Sequence, residues 1–315
     1  MDTIVLCHGY PGFVRLGAIE YFRGVAEHLR NELGVEAFTP QVGPVGTIAE
    51  RSGQMEQRLE DHFRRNPKRM HIIAHSVGGL DARHLVSPPP HGRGRSDIIA
   101  TLTTIGTPHH GTCLAEVALG KISLTFKDIQ GLAIKILKDF LEIKNLNIPT
   151  QEFENIVDFL LGKEGAGRVS QTLSVFDLII EALKDLKGYA TRLLSSNTSG
   201  LDELTRDSMS KTDKEFVDAD NVEYFSYAGI ASLGEGDNLS IVLYPSYLIV
   251  SLVEKDKIDG WISLNSATRD ESTRIINADH AQQIGHLLPS IGSSNRPTFD
   301  HLAFYKGIIE KVMSI

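Results

Sequence analysis

Met70-His71-Ile72-Ile73-Ala74-His75-Ser76-Val77-Gly78-Gly79-Leu80 is the stretch on which the reading of this chain turns. Residues 70–74 form a short apolar run of the buried-strand kind, residues 75–79 a sharp turn, and Leu80 to Val86 the opening of a helix. A serine between small residues, after a buried strand and before a helix, is the setting of a strained elbow that lifts a hydroxyl clear of the backbone. A bare small-x-Ser-x-Gly match is common and a structural turn is its plain alternative; the strand and helix around it make Ser76 the candidate nucleophile. The start of the following helix offers amide donors to developing negative charge, so Val77 is assigned to an oxyanion site.

Working outward, strand and helix signals alternate. Residues 3–7 read as a buried strand entering the turn HGYPG at 8–12. A helical pattern runs over 18–33 and stops at Gly34, and a second strand begins at residue 35. A periodic polar segment follows at about 47–64, and another strand, 102–105, ends at GTPHHG. This order predicts a mostly parallel sheet with helices on both faces and chemistry at the carboxyl ends of the strands. The loop at 88–95, with its prolines, arginines and histidine, reads as exposed and solvated. From 113 to 200 helical stripes replace strands (Leu124, Ile129, Leu132, Ile136; then Leu173, Phe176, Ile180), while strand-like chain resumes at 224–228 and near 275, and a closing helix covers 299–313. The reading is one domain, residues 1–315, with a helical cap inserted at 113–200. The length, 315 residues, would by itself suggest roughly two domains.

Serine needs a base and an orienting carboxylate, expected downstream in the order Ser, acid, His. The turns at 255–262 and 277–282 supply them. His280 is the favoured base over His286 and His301. Asp259, beside Gly260, leads Asp256, and Asp279 is third because it adjoins His280 and would strain to reach its ring. The second oxyanion donor is assigned to the Tyr10 amide in the turn after the first strand, with a plain glycine turn as the alternative, and His8 reads as a structural hydrogen-bonding residue. His109-His110 look metal-like, but adjacent side chains rarely converge and no third ligand stands at motif spacing, so a turn tying loops together is the better reading and no metal is assigned.

Composition bounds the partners. Apolar residues make up 41% and charged residues 23%, with 32 basic against 40 acidic residues and a formal charge of -8, so no broad footprint for nucleic acid is expected. No apolar run is long enough for a membrane span. Cys7 and Cys113 read as free thiols. The start, MDTIVLCHGY, lacks signal-peptide features, which leaves a cytoplasmic or a processed chain as the expectation.

The ordered set HGYPGF (8–13), YFRGVAEHLR (21–30), VGPVGTIAERSGQM (42–55), AHSVGGLDARHL (74–85), TIGTPHHGT (104–112), Leu204-Thr205, YFSYAG (224–229), IDGWI (258–262) and NADH (277–280) resembles the bacterial triacylglycerol lipases of the true-lipase group, of the Pseudomonas, Burkholderia, Staphylococcus and Geobacillus kind. It spans most of residues 3–115 and 200–285; the cap matches only in placement. The resemblance implies an α/β-hydrolase fold with a helical lid and an ester hydrolase with Ser76, Asp259 and His280 as triad and Tyr10 and Val77 at the oxyanion amides. It also implies lipid or ester substrates, action at a lipid-water interface, and no required cofactor. Many relatives bind a structural calcium through an aspartate two residues after the histidine; here that position is Gln282. Ala74 stands where the Pseudomonas-like branch has glycine, as it does in the Staphylococcus-like one. A short-chain carboxylesterase is the alternative within the class, phospholipase or acyl transfer stand further back, and a non-catalytic lipid-binding protein is the alternative outside it.

Overall fold

A computed structural model of the chain describes residues 2–10, 13–16, 19–123, 200–231, 238–240, 243–286 and 299–315, with positions 128, 131, 135 and 138 besides. Its main sheet is built from β1 (Thr3–Cys7), β2 (Ala37–Phe38), β3 (Met70–His75), β4 (Ile99–Ile105), β5 (Glu223–Gly229) and β6 (Arg274–Ile276), in the spatial order β2-β1-β3-β4-β5-β6. Every neighbouring pair is parallel. β1, β3 and β4 are buried along their whole lengths, which is why they read as unbroken apolar runs rather than alternating ones.

Successive side chains of a strand point to opposite faces, and the cores on the two faces separate accordingly. Ile4 and Leu6 of β1 join Ile73, Ile105 and Tyr227 beneath α1 (Val25–Leu33) and the C-terminal helix His301–Val312. Val5 and Cys7 instead join Ile72, Ala74 and Leu102 beneath α2 (Ile48–Arg65) and α3 (Val77–Val86). Thr47 caps α2 in a capping box with Glu50, satisfying otherwise orphaned donors at the helix start. The chain winds from β1 out to β2 and then back across to β3, so the strand order reverses between β1 and β3. The crevice at the carboxyl ends of those two strands is the place where open parallel sheets bind ligands.

A third apolar cluster lies on the site side of the sheet. It joins Tyr10, Val77 and Leu80 to α4 (Cys113–Ala118), to Leu201 and Leu204, to Met209 on α5 (Arg206–Glu215), and to Leu243, Tyr244, Leu248 and Ile249 at α6 (Tyr244–Glu254).

Three expectations differ from the structure. The helix expected over 18–33 begins only at Val25, because Arg15–Leu16 and Ile19–Glu20 pair as a small antiparallel hairpin ahead of it. The helix expected from Leu80 begins at Val77, directly after the serine. The loop at 88–95 is tied down: Arg93 pairs with Glu56, and Arg95 with Glu56 and Glu60, all on α2. The cap expected at 113–200 lies outside the described residues apart from its first eleven residues, four isolated positions and its last residue. Cys7 and Cys113 are buried free thiols, and among the described residues no helix is long and apolar enough to cross a membrane.

Candidate active site

Ser76 is the first thing the β3–α3 turn produces. Its backbone stands at φ 57 and ψ -137, in the left-handed half of φ space, an uncommon place for a side chain with a Cβ. Two residues on, a Cβ at Gly78 would lie 2.6 Å from the His8 carbonyl oxygen and 2.9 Å from that of Cys7. Only glycine lets the first turn of α3 sit against the end of β1. Val77 is the first residue of α3, where amides have no acceptor within the helix.

The loop after β1 is held from four sides. The His8 carbonyl accepts from Arg51 Nη2 at 3.0 Å, the Gly9 amide donates to the Tyr21 hydroxyl at 3.0 Å, the Val42 amide donates to His8 Nε2 at 3.4 Å, and the Tyr10 hydroxyl donates to the Gly46 carbonyl. Arg51 is fully buried; its Nε donates to Asp81 Oδ2 at 2.8 Å, and its guanidinium lies 4.8 Å from the centre of the Tyr10 ring. Burial pushes Asp81 up to about 6 against the opposing pull of Arg51, and pushes His8 down to about 4, with Arg51 adding to it. His8 is thus a neutral structural residue, as the sequence reading expects.

The candidate base and acid lie in two C-terminal loops, His280 after β6 and Asp259 after α6. His280 Nε2 stands 3.0 Å from Ser76 Oγ, and His280 Nδ1 stands 2.7 Å from Asp259 Oδ2. With Nδ1–H donating to the carboxylate, Nε2 is free to accept the serine proton. Asp259 is fully buried. Its Oδ1 accepts from the amides of Trp261 at 3.0 Å and Ile262 at 2.8 Å, its Oδ2 accepts also from Gln283 Nε2 at 2.8 Å, and its own carbonyl accepts the His280 amide at 2.8 Å. The Trp261 and His75 rings pack against His280, with centroids 5.1 and 4.5 Å away. His75 is held well below the ordinary histidine range, first by burial and next by its neighbour His280.

The other candidates are occupied elsewhere. Asp256, half-buried, accepts the Lys257 and Asn265 amides, and Asp279 is buried but faces Ser240 and the Gln282 amide. His286 and His301 bind the carbonyls of Tyr21 and Arg23. His109 accepts from Arg83 and faces Thr104, and His110 meets the Thr268 carbonyl, so these two tie loops together. Gln282 folds its side chain back onto the Asp279 amide at 3.1 Å. That local set does not fit a calcium ion, and among the described residues no group of three or more His, Cys, Asp or Glu side chains is placed to hold a metal. Sequence reading missed Tyr21, Arg51, Asp81 and Gln283, none of which lies in the turns where it sought chemistry.

No family model matches the chain. It is 32% identical over 114 residues to a triacylglycerol lipase of Pseudomonas fragi, a match that covers 36% of this chain and 36% of that one. The chain thus matches only about a third of that relative's length. The fold is close to that of Staphylococcus hyicus lipase, with a TM-score of 0.60 at 17% identity over 99% of this chain and 95% of the other. A metagenomic carboxyl esterase matches with a TM-score of 0.59 at 16% identity, over 99% of this chain and 76% of the other. The fold is that of the α/β-hydrolases, and the likeness to bacterial triacylglycerol lipases read from the motifs is borne out.

Proposed function

We propose that this protein is a serine ester hydrolase, a triacylglycerol lipase in substrate class, with Ser76, His280 and Asp259 as its triad and the Tyr10 and Val77 amides as its oxyanion donors. The observation that carries the reading is the unbroken line Ser76–His280–Asp259, at 3.0 and 2.7 Å, with the serine on a left-handed turn at the start of a helix. His280 takes the hydroxyl proton as Ser76 Oγ attacks the ester carbonyl carbon. Asp259 holds the ring in the required tautomer and stabilises the imidazolium. The tetrahedral oxyanion rests on the two amides, the imidazolium returns its proton to the leaving alcohol, and water, activated by the same base, hydrolyses the acyl-serine. No cofactor enters these steps.

Lipid is favoured over a polar ester because the curated relatives that share this chain's motifs are named triacylglycerol lipases. A short-chain carboxylesterase is the competing reading, since the same fold also carries that activity's name. Ser76→Ala should lower ester hydrolysis at least about 10⁴-fold and abolish covalent labelling by a serine-directed phosphonate; full hydrolysis by that variant would overturn the assignment. Turnover of emulsified long-chain triacylglycerol above that of soluble short esters supports the lipase reading, and the reverse supports the esterase.

A further inference from the structure

Gln283 is fully buried beside the candidate triad, and its amide is built into place. A Cβ at Gly106, just past β4, would fall 2.2 Å from Gln283 Oε1, and one at Gly229, the last residue of β5, would fall 2.1 Å from Gln283 Nε2. Two strand ends thus lack side chains where the amide lies. Its Nε2 donates to Asp259 Oδ2 at 2.8 Å, with the Ala278 carbonyl at 3.4 Å. This is the same carboxylate oxygen that meets His280 Nδ1. Behind it, His75 Nδ1 accepts from the Tyr21 hydroxyl at 2.8 Å, and that hydroxyl accepts the Gly9 amide. Among the described residues, His75 Nε2 and Gln283 Oε1 are both buried with no hydrogen-bond partner, and the Gln283 amide acts on the His75 ring.

We infer that Gln283 is a positioning residue that fixes the Asp259 carboxylate for His280, and that it works as one packed unit with His75 and Tyr21, so that the acid-base pair and the Gly9–Tyr10 turn are set together. This rests on the triad reading above. Donation from Gln283 stabilises part of the Asp259 charge; without it more of that charge bears on the imidazolium formed during the reaction, so the acidic limb of the rate profile lies at higher pH. The titratable groups around His280 are Asp259 and His75, with His286 beyond His75.

The test uses the full chain, a soluble short-chain nitrophenyl ester, and the variants Gln283→Met, Gln283→Glu and Tyr21→Phe. Gln283→Met should lower kcat about 10-fold with KM within twofold, and move the acidic limb of kcat/KM upward by about half a pH unit. Gln283→Glu, nearly the same shape but anionic, should move that limb further. Combining Tyr21→Phe with Gln283→Met should cost less than the product of the single losses. If either folded Gln283 variant keeps the parent kcat and acidic limb, or if the two losses multiply, the inference fails. Should Gln283→Met not fold, Gln283→Glu carries the test. Phosphonate labelling of Ser76 in the parent separates the cases: a parent that neither labels nor hydrolyses ester removes the triad reading itself.

Discussion

The proposed site has two arms that are made in opposite ways. The nucleophile arm is local: β3, the turn and α3 are contiguous over residues 70–86, and a left-handed backbone at Ser76 does the positioning. The acid-base arm is assembled from afar, with Asp259 and His280 on separate loops 204 residues from the serine at the His280 contact, and hydrogen bonds do the positioning. One arm is set by sterics, the other by satisfied polar groups. The two should therefore fail differently.

The acid-base arm should fail in activity alone. Asp259→Asn should keep the fold yet lower kcat roughly 10⁴-fold, because an amide there no longer enforces the working tautomer of His280; melting curves and steady-state rates on a soluble ester read this out. The local arm should break in stability. Gly78→Ala drives a methyl against the His8 and Cys7 carbonyls, and overpacking of this kind costs about 1–3 kcal/mol or more, measured as a lower urea midpoint together with lost activity. An unchanged midpoint would show that the close packing of β1 on α3 is not what holds the elbow.

A smaller, shared effect concerns pH. His8, His75 and His109 are held below the ordinary histidine value, in each case chiefly by burial, with Arg51 also acting on His8 and Arg83 on His109. A depressed folded pKa means the unfolded chain binds more protons, so their contribution to stability is full above about pH 6.5 and declines as pH falls below it, toward about 4 in the case of His8. Each contributes at most about 1.4 kcal/mol per pH unit in that window. Asp81, raised to about 6, works the other way between its unfolded value near 4 and about 6. Denaturation at pH 7, 5.5 and 4.5 should show a net loss on acidification, and His109→Asn should flatten the slope.

What was legible follows the same division. β1, α2, β3 and the elbow announce themselves because each signal is contained in fewer than twenty contiguous residues and its period survives in one dimension. α6 gave no such signal: YPSYLIVSLVE is apolar nearly all round, and a helix buried on most sides has no polar stripe to mark its period. Asp259 and His280 could be proposed from turn chemistry, yet nothing in one dimension distinguished Asp259 from Asp256 decisively. The choice lay in burial, since Asp256 is half-buried and bonds the Lys257 and Asn265 amides, whereas Asp259 is fully buried and receives two backbone amides, Gln283 and His280. The arginines near residue 90 looked solvated because their partners on α2 are 35 to 39 residues away.

By itself the sequence determined the strand-turn-helix units, the parallel α/β class and the serine elbow, since these depend on backbone preferences and on the side-chain periods of single elements. Only the tertiary structure decided which carboxylate faces His280, that Arg51 and Asp81 meet in the interior, and that Gln283 lies in the gap left by two glycines. Those outcomes rest on desolvation and on hydrogen bonds between segments far apart in the chain, and neither quantity exists until the sheet has brought its strand ends together.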